Sequence, residues 1–95
     1  MDKNFIKTKV GSNPRWACRA LVALYDRQTR EEQGALATIE HNGMGFNGVD
    51  AEILSSFAQQ IIRGRRLSAR QMSIAYRKLP KYAGQLLEIA ERKDS

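Results

Sequence analysis

The chain has 95 residues, enough for one domain around a small core. Hydrophobic residues make up 42% and charged residues 27% of it, a folded-domain composition that excludes a disordered tail. No apolar run approaches the roughly 20 residues that cross a bilayer, and the formal net charge of +6 points toward polyanionic partners.

The first twelve residues, MDKNFIKTKVGS, show no clear periodicity. They are expected to form a flexible N-terminus, with residues 13–95 as a single helical domain. They also lack the apolar segment of a secretory signal. The next stretch, NPRWACRALVALYDRQ, opens on a helix start: Asn13 as N-cap and Pro14 in the first helical position. Trp16, Ala17, Ala20, Leu21, Leu24 and Tyr25 follow on one helical face. Thr29 and Glu32 have capping-box spacing, so TREEQ either begins a short second helix or prolongs the first. GALATIE carries weak signals, and its state is left open.

HNGMGFNG, residues 41 to 48, separates this helical stretch from another. A phosphate-binding loop would lead from its glycines to Lys and Ser or Thr. This one leads to Val49, Asp50, Ala51 and Glu52. Carboxylates in the first turn suit the positive end of a helix and repel a phosphate arriving there. The loop is therefore expected to be architectural. Gly43, Gly45 and Gly48 would take positive φ, Met44 and Phe46 would plug the core, and Asn47 would cap the next helix with Asp50 in support.

That helix, VDAEILSSFAQQIIRG, carries Ile53, Leu54, Phe57, Ala58, Ile61 and Ile62 as its stripe and Gly64 as terminator. Ser68 and Gln71 form a capping box for RRLSARQMSIAYRKL, with Leu67 and Met72 at the two positions of a hydrophobic staple. Met72, Ala75, Tyr76 and Leu79 make the buried face. Pro80 interrupts the pattern before KYAGQLLEIAERK resumes it with Tyr82, Leu86, Ile89 and Ala90. The predicted class is all-α: a compact bundle of three to four helices containing a helix-turn-helix-like pair.

Catalytic and metal chemistry finds little support. His41 is the only histidine and Cys18 the only cysteine, so no metal-ligand spacing arises. Cys18 beside the apolar stripe reads as a small buried hydrophobe. Glu31 and Glu32, adjacent on the chain, point apart. A non-enzymatic protein without cofactor or metal is expected. One cysteine and no apolar leader also suggest a reducing, cytoplasmic setting.

The charge distribution carries the functional reading. Charges nearly cancel from Met1 to Asp50, whereas Arg63 to Lys81 holds seven basic residues and no acidic one. In a helix-turn-helix the start of the second helix meets base edges and flanking cations hold phosphates. Arg70, Gln71 and Ser73 are then the outward candidates, and Arg63, Arg65, Arg66, Arg77, Lys78 and Lys81 the backbone contacts. A helical hairpin with a solvated charged exterior gives the same outline.

The segment NGMGFNGVDAEILSSFAQQIIRGRRLSARQMSIAYRKLPKYAGQL resembles a small module of phage and mobile-element proteins. That module stands alone or beside SNF2-like or DEAD/DEAH-type helicase domains. The resemblance covers about half the chain and rests on the NGMGFNGVDAE loop, LSARQ and KYAGQL. It implies phage biology and DNA transactions in a bacterial host cell. The expected function is thus a nucleic-acid-binding accessory protein, DNA favoured, acting in replication, recombination or repair, with a helicase as a candidate partner. The alternative is an anti-CRISPR-like protein inhibitor of a host defence nucleoprotein complex, using its arginines as anchors. The oligomeric state is left open; an exposed remainder of the first stripe, Trp16 and Leu24, is one route to a dimer.

Overall fold

The computed structural model describes residues 2–34 and 45–93, with side chains described for 2–28 and 45–91. Its elements are α1 (Lys3–Val10), α2 (Pro14–Gly34), α3 (Ala51–Ile62), α4 (Ala69–Lys78), a 3₁₀ turn (Leu79–Tyr82) and α5 (Ala83–Lys93). The 3₁₀ turn joins α4 to α5, so that these two form one bent helical unit beside α1, α2 and α3 among the described residues, in a molecule with extents of 39 × 28 × 23 Å. The fold is all-α, as the periodicity predicts, and no described helix is long and apolar enough to cross a membrane.

The N-terminus departs from expectation. Residues 3–10 are not an aperiodic tail but a helix, capped by Asp2, whose carboxylate accepts the Phe5 N–H at 2.8 Å. Its only deeply apolar positions, Ile6 and Val10, lie one turn apart and are both 1% exposed. The helix packs on α2, the 3₁₀ turn and α5, while Phe5 meets Trp16 edge to face at 5.6 Å. Three apolar residues in a polar octapeptide, only two of them buried, give no clear periodic signal. What orders the segment is tertiary burial.

The α2 helix starts as expected, with the Asn13 side chain accepting the Arg15 and Trp16 N–H groups at 3.0 and 3.2 Å. It runs unbroken to Gly34, so TREEQ extends it. Ala17, Ala20, Leu21 and Leu24 are buried on its inner face. With Leu24 enclosed and Trp16 half-buried against Phe5, that stripe offers no dimer surface of the kind envisaged. GALATIE, His41, Gly43 and Met44 lie outside the described residues apart from Gly34.

The visible part of the glycine loop is built into the core. Phe46 is buried against Tyr82, edge to face at 5.8 Å. Gly45 has φ +77°, and a Cβ there would lie 2.4 Å from the Gln28 Cβ. Gln85 grips the Gly45 peptide from both sides, accepting its N–H at 2.8 Å and donating to its carbonyl at 3.0 Å. Gln28 accepts the Phe46 N–H at 3.1 Å. Gly48 does not have positive φ and has open space where a Cβ would stand, so only Gly45 of these two needs to be glycine. Asn47 closes the turn leading into α3, its side chain accepting the Asp50 N–H at 3.0 Å, whereas the N-cap position itself falls to Asp50 and has no side-chain cap.

At the other end of α3, Gly64 (φ +88°) donates to the Ile61 carbonyl and Arg65 to the Gln60 carbonyl. These two bonds close a Schellman motif. The α4 helix opens on the predicted capping box, Ser68 with Gln71, and Leu67 and Met72 both pack against the core. Four residues, Gly64 to Leu67, lie between the caps Arg63 and Ser68, the turn length expected of the helix-turn-helix-like pair.

The glycines rank themselves for test. Gly64→Ala should lose about 1–2 kcal/mol from the left-handed backbone alone. Gly45→Ala should lose more, because the clash with Gln28 adds to the same strain. Gly48→Ala should stay within about 0.5 kcal/mol of the parent. Urea unfolding of the three variants measures the order directly.

Candidate nucleic-acid interface

The acid-free block divides into two kinds of cation. Arg63 caps α3, Arg65 and Arg66 occupy the turn, and Arg70 and Arg77 stand on α4; all five are exposed. None forms an ion pair among the described residues. Arg70, Ser73 and Arg77 recur at spacings of three and four, so they share the outward face of α4, with Arg66 just beyond its N-cap. Arg63 and Arg65 join Ser56, Gln59 and Gln60 around a shallow polar depression of about 410 Å³.

The two lysines serve the interior instead. Asp50 is 0% exposed, and its carboxylate receives Lys78 Nζ at 3.0 Å, Lys81 Nζ at 2.7 Å and the Tyr82 hydroxyl at 2.8 Å. Tyr82 in turn accepts the Asn47 N–H at 3.0 Å. Asp50 is thus not a surface carboxylate supporting a cap. It is the centre of a buried polar cluster that ties the loop and α3 to the end of α4. Burial by itself would push the Asp50 carboxyl up. The hydrogen bonds from Lys81, Tyr82 and Lys78, with the charge of Lys81, overcome that and hold it at about 2. Burial, together with the neighbouring carboxylate, pushes the Tyr82 hydroxyl up to about 12.

Gln71, expected to face a base edge, is also engaged within the chain. Its side chain accepts the Ser68 N–H at 2.8 Å and exchanges two hydrogen bonds with the Gln60 amide, at 3.1 and 3.0 Å. The Gln60 amide also donates to the Arg66 carbonyl at 2.8 Å, fixing the turn. Lys78 meets Asp50 where α4 ends and α3 begins, and Gln71 meets Gln60 where α4 begins and α3 ends. The helices are therefore tied at both ends and run in opposing directions. Lys78, Lys81 and Gln71 are architectural residues here, and the five arginines with Ser73 are what the corner presents outward.

The sequence did not reveal Asp50 as the hub. Its position before a helix suits the dipole equally well, and its partners lie 28 to 32 residues further on. Cys18 is half-buried in α2 with its thiol pushed up by burial, so it is a poor nucleophile. Comparison with protein-family models, with curated proteins and with solved structures finds no match for this chain.

Two outcomes follow from this geometry. Asp50→Ala leaves two cations and a hydroxyl facing an empty site, and should cost about 3 kcal/mol of stability, the low end for breaking a buried pair, since both lysines keep some access to water. Because the folded carboxyl titrates below its unfolded value, its contribution is complete above pH 4 and disappears as pH falls toward 2. Unfolding midpoints of the parent should drop through that window, and those of Asp50→Asn should drop less. Gln71→Ala, which removes both the box and the amide pair, should lose about 1–2 kcal/mol in the same assay.

Proposed function

We propose that this protein is a small, non-enzymatic nucleic-acid-binding accessory protein that engages DNA through the arginine corner of α3, the turn and α4. The supporting observation is the sorting of cations. Every carboxylate partner found for the block goes to a lysine, and five guanidinium groups stay exposed on one turn and one helix face. Guanidinium groups bind phosphate oxygens bidentately and keep their charge at any physiological pH. The double tie between α3 and α4 holds them on a rigid support, which lowers the ordering cost of binding. With Gln71 engaged internally, the exposed Arg70 and Ser73 remain as the candidates for base edges, so on this reading most affinity comes from phosphates and sequence discrimination is modest. The resemblance to a module of phage and mobile-element proteins supports a role in replication, recombination or repair.

Binding through phosphates releases counterions, so log K should fall linearly with log salt, with a slope of about −0.9 per phosphate neutralised on duplex DNA. Replacing Arg65, Arg66 and Arg70 by Gln should flatten that slope by about two to three without moving the unfolding midpoint. Lys78→Met should do the reverse, lowering stability with a smaller change in slope. Fluorescence anisotropy at several salt concentrations reads both. Absence of binding to duplex, single-stranded DNA and RNA at low salt and micromolar protein defeats the reading. Recovery of one stoichiometric host protein that survives nuclease treatment would favour an inhibitor of a defence complex in its place.

A further inference from the structure

The arginine corner holds a hollow as well as a ridge. Arg70, Ser73 and Arg77 stand out from α4 as a convex row. Elsewhere on the corner lies the depression of about 410 Å³ lined by Ser56, Gln59, Gln60, Arg63 and Arg65. Its four α3-side residues follow at spacings of three, one and three, so they share one face over roughly 10 Å of helix. Among the described residues no apolar and no aromatic side chain lines it.

The lining has two ends of different character. Arg63 and Arg65 form no ion pair among the described residues. Gln60 is committed within the chain: its amide nitrogen donates to the Arg66 carbonyl and to Gln71, and its oxygen accepts from Gln71. Gln59 is committed on one side only. Its amide nitrogen donates to the Tyr25 hydroxyl at 2.9 Å, which braces an exposed side chain and leaves its carbonyl oxygen and a second amide hydrogen open. The Ser56 hydroxyl is open as well, with no hydrogen-bond partner among the described residues. Glu52, one turn before Ser56 on the same face, is exposed and puts negative charge at the end opposite the arginines.

A ligand matching this hollow is anionic at one end and carries hydrogen-bonding edges at the other, as a nucleotide does. In duplex DNA the base edges lie at the floor of a groove, about 8.5 Å deep on the major side, which a convex ridge can enter and a hollow cannot. An unstacked base projects from its strand and can enter a hollow, where guanidinium planes stack on it and polar side chains bond its edge. We infer that the depression is a subsite for one unstacked nucleotide of single-stranded DNA, its phosphate held by Arg63 and Arg65 and its base edge by Gln59 and Ser56. The inference rests on the nucleic-acid reading above and narrows it, since it makes a single strand the favoured form over a duplex of the same sequence.

The test is fluorescence anisotropy of the full chain with a short labelled strand of mixed sequence and with the matching duplex, at one salt concentration. The strand should bind the more tightly. The double variant Ser56→Ala/Gln59→Ala should lose about ten-fold in strand affinity, the scale of two hydrogen bonds, while the salt slope, set by the arginines, keeps its value. A second measurement needs no variant. In amide NMR spectra of the parent chain the Gln59 side-chain signals should shift on addition of deoxyadenosine monophosphate and stay in place with inorganic phosphate, which occupies the arginine end alone. Three results each overturn the subsite and leave the arginine reading standing. They are a duplex bound as tightly as the strand, a double variant with parental strand affinity, and Gln59 signals that inorganic phosphate moves as far as the nucleotide does. Binding to neither form of DNA overturns both.

Discussion

The buried carboxylate of Asp50 is the constraint around which the rest is arranged. An ionised group with no solvent access is tolerated only when its lone pairs are filled by strong donors. Two ammonium groups and a phenol fill these. The requirement has structural reach because the donors come from the end of α4 and the 3₁₀ turn, while the acceptor opens α3. Satisfying one side chain therefore sets how the loop, α3 and the bend at Pro80 sit together. It also explains the bend. Lys78, Lys81 and Tyr82 converge on one point from within five residues, and the tighter 3₁₀ geometry of Leu79–Tyr82 helps bring them there.

A second set of contacts gives physical meaning to three strings of the sequence, the glycine loop, LSARQ and KYAGQL. The glycine loop and KYAGQL are distant in sequence but meet in space. Gln85 holds the Gly45 peptide, Tyr82 receives the Asn47 N–H and packs on Phe46, and Lys81 binds Asp50. LSARQ supplies the capping box whose Gln71 interlocks with Gln60. The glycine loop and KYAGQL thus form one clamp, and LSARQ with Gln60 forms a second at the other end of α4. Gly45 is there for the close approach of its backbone to Gln28. Within these strings most described side chains serve the fold; Arg70, inside LSARQ, is exposed instead.

How much was legible in the sequence follows from the range of each interaction. The starts of α2 and α4 were readable because a cap and its acceptor are three residues apart. The buried faces of α2, α3 and α4 were readable in outline because burial repeats with the helical period, but Ile62, at the end of the α3 stripe, is 57% exposed, and Met72 and Tyr76 are only half-buried. Phe46 was readable as a plug because an aromatic in a glycine loop has few other uses. The α1 helix was not, since only Ile6 and Val10 mark it and both are buried by elements far along the chain. Nor were the roles of Lys78 and Lys81, or the pairing of Gln71 with Gln60 that keeps it from facing outward. Within an acid-free stretch a lysine that binds a buried carboxylate looks like one that faces water, and the choice is made by a residue some 30 positions away.

That same choice sharpens the meaning of the basic block. Seven cations on a short stretch give a total charge, but attraction of a polyanion depends on those not already neutralised by the chain. Two of the seven are spent on Asp50, and both are lysines, whose compact ammonium groups can share one carboxylate from different directions. The five that remain are arginines on adjacent parts of one surface, with Glu52 and the other described carboxylates outside their ion-pair range. Close like charges raise the free energy of the folded chain by mutual repulsion. A ligand carrying regularly spaced negative charge removes that repulsion while gaining its own contacts, and a ligand that binds only the folded state stabilises it by mass action. At the arginine corner none of the described carboxylates supplies a counter-charge, whereas around Asp50 the chain supplies its own.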